Sequence, residues 1–308
     1  MEVRIHDVGL RDGLQIEKQI VPTEKKIAWA EALIRSGIDG IQLGSFVHPA
    51  KVPQMADTDK LFAYFSQPGR NPERTILSGL VLNEKGLDRG LSCGVQMFCM
   101  GVSASETHSR KNVGAGTEDA IKQIVPMAKK ALAAGKRVQA SVQSAFGCGF
   151  EGVIPPERVV GIVKRYLEVG VTNISLADTA GHANPPQVEA LFAAIREVDP
   201  SVELACHFHN TFGLGLANCY AAMRAGVTHL ESAFGGLGGC PFTKAAAGNV
   251  CTEDLVHSLQ RMGMRLDLRL DLLIDIAREA GQLFCRDLPG FILKSGSIVG
   301  FSGSAKEQ

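Results

Sequence analysis

Eight times along the chain, a short run of β-branched or apolar residues gives way to a longer stretch of helical period. The expected strands cover 3–8, 40–43, 76–82, 95–100, 138–142, 173–176, 203–209 and 229–234. Amphipathic stretches such as 23–36, 118–134, 156–169, 185–197 and 214–225 lie between them. Parallel strands need a crossover connection, usually a helix, so this alternation argues for a parallel α/β sheet. Eight units argue for closure, and the fold class predicted is a (β/α)8 TIM barrel. A length of 308 residues suits one such barrel of about 250 residues with additions.

Helix punctuation agrees with this spacing. Thr23 precedes Glu24 and an apolar series of Ile27, Ala30, Leu33 and Ile34, and Gly37 follows. Thr117 stands before Glu118 and Asp119, whose charge suits a helix N-terminus, while Gly135 and Gly170 sit where helices should stop. A further C-terminal helix is expected over 271–285. No composition break marks a second domain, so residues 1–294 are read as one barrel domain and 295–308 as a flexible Gly/Ser-rich tail.

Composition narrows the partners. Lys plus Arg equals Asp plus Glu at 32 each, which leaves no net attraction for nucleic acid or an acidic membrane. No run approaches the roughly 20 apolar residues of a membrane span, and the first residues, MEVRIHDVGL, lack the basic-then-apolar pattern of a secretory signal. The eight cysteines include no CxxC pair, so they are expected to be reduced, mostly buried thiols in a cytoplasmic protein.

In a barrel of this kind the active site forms at the C-terminal ends of the strands. Strand one ends in Arg11-Asp12, either a carboxylate able to hold a cation beside a guanidinium able to meet negative charge, or a surface ion pair closing a turn. Strand seven ends in His207-Phe208-His209; residues two apart on a strand face the same way, so two imidazoles converge as ligands for one divalent metal. Strand eight runs into Gly235-Gly236-Leu237-Gly238-Gly239-Cys240, a loop in which Cys240 is either an acid or nucleophile brought in on closure or an incidental hinge cysteine. Asn249 follows, and its side-chain oxygen can complete a set with Asp12, His207 and His209. Oxygen and nitrogen donors with room for water favour octahedral Mg2+ or Mn2+ over structural zinc. Asp178, ending strand six, either orients a ligand or caps the next helix. Ser103, Ser105, Arg110, Lys111 and Asn112 either hold an anionic group or form a solvated loop.

Seven stretches, VGLRDGLQIEK (8–18), SFVHPAKVPQM (45–55), GVSASETHSRKN (101–112), SAFGCGFEG (144–152), SLADTAG (175–181), HFHNTFGLGLAN (207–218) and GLGGCPFTKAAAGN (236–249), together resemble the DRE-TIM metallolyases. Within them the chain is most similar to the 3-hydroxy-3-methylglutaryl-CoA lyases. The resemblance implies a divalent-metal-dependent retro-Claisen cleavage of 3-hydroxy-3-methylglutaryl-CoA, or a closely related branched 3-hydroxyacyl-CoA, to acetyl-CoA and a 3-oxo acid. It implies Asp12, His207, His209 and Asn249 as metal ligands, with Arg11, Asp178, His207 and Cys240 catalytic. Arg11 would stabilise the enolate, Cys240 would protonate or shield the reacting centre, and Asp178 would position the substrate. Gln15, Gln42, Ser103 and Asn112 are the expected substrate-binding residues, the last two on the loop resembling the coenzyme A contact. A homodimer is implied as well.

One departure bears on the substrate: Gln42 stands where these lyases usually carry Glu, and Gln cannot take a proton or supply negative charge. Gly149 likewise stands where they usually have Pro. Two rival readings are a condensing enzyme of the same superfamily, disfavoured by the 236–241 loop, and a silent acyl-CoA-binding barrel, disfavoured by the retained metal set.

Overall fold

The computed structural model describes residues 2–70, 75–239 and 248–298. Eight parallel strands close in chain order: β1 (Arg4–Asp7), β2 (Gly40–Ser45), β3 (Ile76–Leu80), β4 (Met97–Ser103), β5 (Arg137–Gln143), β6 (Asn173–Asp178), β7 (Glu203–Phe208) and β8 (His229–Ser232). Closure is made by β1 against β8, from Arg4 opposite His229 to Asp7 opposite Ser232. All eight expected strands are present, shifted by a few residues at their ends. The fourth extends to Ser103 because Gly101, Val102 and Ser103 continue the ladder to Ser141, Val142 and Gln143.

Helices α1 (Thr23–Arg35), α5 (Thr117–Ala133), α6 (Pro156–Leu167), α7 (Pro185–Val198) and α8 (Gly215–Arg224) match the amphipathic stretches. Shorter ones join them: α2 (Thr58–Phe65), α3 (Glu84–Ser92), α4 (Glu106–Val113) and α9 (Thr252–Arg261). Local caps explain two of these, since Asn83 accepts from Gly86 N–H and Ser105 from His108 N–H. The additional C-terminal helix is α10 (Leu270–Leu283), tied to α1 through Glu279, which accepts from Lys25 Nζ (2.5 Å) and Trp29 Nε1 (3.1 Å). A last short helix, α11 (Phe291–Ser295), starts on the carboxylate of Asp254, which accepts from Phe291 and Ile292 N–H. Most of the expected tail, from residue 299 on, lies outside the described residues.

The core divides into two chemistries. Between strands and helices it is apolar, with Trp29, Phe46, Phe62, Phe98, Tyr166 and Phe192 fully buried. Inside the barrel it is polar instead: His6, Gln42, Ser78, Gln139, Ser141, Ser175 and Glu231 project toward the axis. A barrel of this type ordinarily fills its axis with bulky branched side chains. Polar groups taken out of water need partners, and here His6 Nε2 meets Ser78 Oγ at 2.8 Å while Ser175 Oγ lies 3.4 Å from Glu231 Oε1.

Candidate active site and metal centre

The site opens at the C-terminal mouth of the barrel, where a cavity of about 180 Å³ is bounded by the ends of most strands. Just past β1 the backbone makes one π-type turn, Gly9–Gly13, in which the carbonyl of Val8 accepts from Arg11, Asp12 and Gly13 N–H. Such wide turns recur where a helix must re-aim side chains. This one directs Arg11 and Asp12 into the cavity. Asp12 Oδ1 is 2.5 Å from Arg11 Nη1, and the Nε of the same guanidinium donates to Gln42 Oε1.

Three donor atoms converge on one point. His207 Nε2 and His209 Nε2 are 3.2 Å apart, and Asp12 Oδ2 is 3.9 Å from each. The other nitrogen of each ring is engaged: His207 Nδ1 meets Glu231 Oε2 at 2.8 Å and His209 Nδ1 meets the Thr179 carbonyl at 3.0 Å. With protons on both Nδ1 atoms, two lone pairs and a carboxylate face one another at short range. Such a set fits a cation, and the acceptors behind the rings are the usual outer support of metal-bound imidazoles. A backbone bridge sets Asn249 beside His209; its Nδ2 donates to Asp12 Oδ2 (2.8 Å) and to the Leu237 carbonyl (2.9 Å). That leaves Asn249 Oδ1 buried without a hydrogen-bond partner among the described residues, a second oxygen, after that of Asp12, available beside the two imidazole nitrogens. Asp12, His207 and His209 thus come together, with Asn249 joined to Asp12 through its amide.

Electrostatics follow from this crowding. Burial opposes ionisation of Asp12, but Arg11, the two histidines and the Asn249 amide outweigh it and hold the carboxyl below its ordinary range. Burial also presses on both imidazoles. For His207 the Glu231 hydrogen bond and charge reverse the effect and raise it, whereas His209, buried beside His207, falls to about 4.

Of the expected substrate-binding residues, Gln15, Gln42 and Asn112 line the cavity. Ser103 does not: it is buried in an adjoining slot, and its hydroxyl accepts from Ser105 N–H (3.1 Å) at the entry to α4. Asp178 also stands back from the cavity. Its two oxygens accept from His182 N–H (2.8 Å) and Ala183 N–H (3.1 Å), so the carboxylate braces the loop into α7, and Asp178 is not among the residues that line the cavity. A strand-ending Asp followed by a loop and a helix start is ambiguous in sequence between these roles, and the backbone resolves it. His48 also closes its own turn, accepting from Ala50 N–H. Cys240 falls outside the described residues; Gly239 before it lines the cavity.

The sequence reading passed over Glu231, Gln139, Ser141, Ser175 and Cys99. The available signal was period two: an acid inside the strand 229–234, and polar residues at every second position of 139–143, mark the face turned to the axis. It also passed over two acids beneath the glycine loop. Asp7 accepts from Gly9 N–H, Phe234 N–H and Thr252 Oγ1, and Glu253 accepts from Gly235 N–H. They anchor the start of a loop whose Gly235 and Gly236 take φ of 64° and 63°, a region that favours glycine.

The HMGL-like family model matches residues 2–279. A hydroxymethylglutaryl-CoA lyase of Bacillus subtilis is 36% identical over 289 residues, 94% of this chain and 95% of the relative. A 3-hydroxy-3-isohexenylglutaryl-CoA/hydroxymethylglutaryl-CoA lyase of Pseudomonas aeruginosa is 35% identical over 92% of each chain. Among solved structures, an HMG-CoA lyase of Acinetobacter baumannii in complex with coenzyme A and 3-methylmalate superposes with a TM-score of 0.90 at 36% identity, covering 97% of this chain and 96% of the other.

Proposed function

The chain belongs to the HMGL-like family, and from that premise we propose that it cleaves a branched 3-hydroxyacyl-CoA, 3-hydroxy-3-methylglutaryl-CoA or a near relative, to acetyl-CoA and a 3-oxo acid. Carbon–carbon lyase chemistry is the property of the family. The observation that carries the assignment is the convergence of Asp12, His207 and His209 within reach of one ion, with Arg11 beside them. Mg2+ or Mn2+ is the proposed cofactor, held by these three residues and Asn249. When bound, a divalent cation supplies Lewis-acid polarisation of the substrate's C3 hydroxyl.

The chain's own residues do the rest. A base takes the proton of the C3 hydroxyl and C3 becomes a carbonyl; the C2–C3 bond breaks, its electron pair passes into the thioester as an enolate, and in net the hydroxyl proton is replaced by one delivered to C2. Arg11, oriented by Gln42 at Nε and Asp12 at Nη1, faces that oxyanion, a contact of a kind worth about 3–4 kcal/mol. Glu231 and the Thr179 carbonyl hold the imidazoles in the tautomer that turns both Nε2 lone pairs inward. Glu231 beside Nδ1 would balance a proton carried by the His207 imidazole. Cys240 is proposed to return a proton to C2 of the enolate, completing acetyl-CoA.

Gln15 and Asn112 are proposed to contact the substrate from the rim, and Gln42 acts through Arg11. The homodimer and the cytoplasmic setting belong to the same proposal; no disulfide joins the described cysteines, and no helix among the described residues is long and apolar enough to cross a membrane. The test is acetyl-CoA release from 3-hydroxy-3-methylglutaryl-CoA by the purified chain with Mg2+ or Mn2+, against a chelator control. Metal-dependent release supports the reading, and absence of cleavage with any branched 3-hydroxyacyl-CoA removes it.

A further inference from the structure

Four neighbouring strands present small side chains at one level of the barrel axis. Gly101 of β4 pairs with Ser141 of β5, Ser141 with Ser175 of β6, and Ser175 with Ala205 of β7. Bulky branched residues ordinarily occupy such a level. Here the cavity continues down past Ser141 and Ser175 to a floor of Gln139 and Cys99, whose thiol lies 3.6 Å from the Gln139 amide oxygen.

Depth and polarity of this hollow constrain what enters it. Ala177 pairs with His207, so Ser175 lies two residues below the level of His207, about 6.6 Å along the strand and about 5 Å along the tilted barrel axis. A methyl group on the reacting carbon extends about 1.5 Å and stops far above the two hydroxyls. A branch of about four atoms spans the gap. Ser141 Oγ, Ser175 Oγ and Gln139 Oε1 hold only long contacts, to the Met100 carbonyl (3.5 Å), Glu231 (3.4 Å) and the Cys99 thiol (3.6 Å), so an apolar branch would leave their remaining hydrogen-bonding capacity facing hydrocarbon. An anionic branch fares no better, because Glu231 Oε1 lies 3.4 Å from Ser175 Oγ. Among the described lining residues Arg11 alone carries a fixed positive charge, and Asp12 and Gln42 hold it at the rim.

We propose that the tertiary carbon of this chain's acyl-CoA substrate carries a branch of about four atoms ending in a neutral hydrogen-bonding group such as a hydroxyl, received by Ser141 and Ser175 above Gln139. The proposal rests on the lyase reading and specifies its substrate class. Ser141 and Ser175 are then specificity determinants for the branch, and they take no part in bond cleavage.

Three CoA thioesters of 3-hydroxyglutarate that differ only at C3, bearing methyl, butyl or 3-hydroxypropyl, separate the possibilities on the purified full chain with Mg2+. The 3-hydroxypropyl thioester is expected to have a kcat/KM at least about tenfold above each of the others, since a site built to hydrogen-bond a hydroxyl rejects the analogue lacking it. Ser141→Leu fills the hollow and should lower the hydroxypropyl-to-methyl ratio at least about tenfold. Ser175→Ala should narrow the hydroxypropyl-to-butyl ratio. Ratios taken on one preparation cancel the folded fraction, so a poorly folding variant still reports. A wild-type preference for methyl, or a ratio indifferent to Ser141→Leu, overturns the branch and leaves the lyase standing. No cleavage of any of the three overturns both.

Discussion

Glu231 Oε2 lies 2.8 Å from His207 Nδ1, on the far side of the ring from the nitrogen that faces His209 and Asp12. The contact decides which nitrogen of His207 keeps its lone pair for an ion. Acceptors in this position typically contribute ten- to a hundredfold to metal affinity. Glu231→Ala is therefore expected to weaken Mn2+ binding by about that factor, read by calorimetry or by the paramagnetic resonance of free Mn2+. Glu231→Asp should recover part of it. Unchanged affinity in Glu231→Ala would reduce the contact to a packing detail.

Metal removal should be visible without any substrate. An ion that binds only the folded chain stabilises it by about 2.7 kcal/mol at a hundred times its dissociation constant. Chelation should lower the Tm by several degrees, and Mg2+ or Mn2+ should restore it. In Asp12→Ala the shift should vanish together with metal-supported turnover, because Asp12 is the one carboxylate among the three converging donors. A Tm that still responds to the ion would place the ion elsewhere.

Position 42 is a test of substrate choice. Gln42 gives Arg11 an acceptor but no charge. Gln42→Glu keeps the acceptor and adds a carboxylate beside the guanidinium. Cleavage of 3-hydroxy-3-methylglutaryl-CoA is expected to rise in kcat/KM if this residue diverts the chain from that substrate; no rise returns the preference to other lining residues.

Cys240→Ser should depress kcat severely, with an unchanged circular dichroism spectrum and an unchanged KM within about twofold, the pattern of a group used in the transition state. An unaffected rate would make the cysteine a bystander.

Glu253 sets a pH dependence of stability. Burial pushes its carboxyl up to about 8 despite the Gly235 N–H it accepts, and Asp254 and Asp7 add to the rise. A carboxyl raised in the folded state stabilises fully below its unfolded value of about 4.5, and that contribution disappears as pH climbs through about 8. Glu253→Gln keeps an acceptor for Gly235 and stays neutral. Its Tm advantage over the parent should grow between pH 5 and pH 9; a constant difference across that range would contradict the buried, protonated Glu253.

The sequence by itself determined the architecture and most of the donor set. Alternation of period two with period 3.6 is a property of neighbours along the chain, so eight strands, their order and the spacing of His207 and His209 on one face could be read directly. The arrival of Arg11 and Asp12 at a strand end could be read for the same reason. Partners across the barrel could not, because closure and stagger decide which distant side chains meet. Glu231 stands 24 residues from His207 and reaches its ring only because β7 and β8 pair in one register. Asp178 read equally well as a substrate contact or a cap until the backbone N–H groups of His182 and Ala183 were seen on both its oxygens. The polar axis was the tertiary structure's decision as well: Gly101, Ser141, Ser175 and Ala205 say little singly, and four strands bring these small residues to one level, where Ser141 and Ser175 border the cavity.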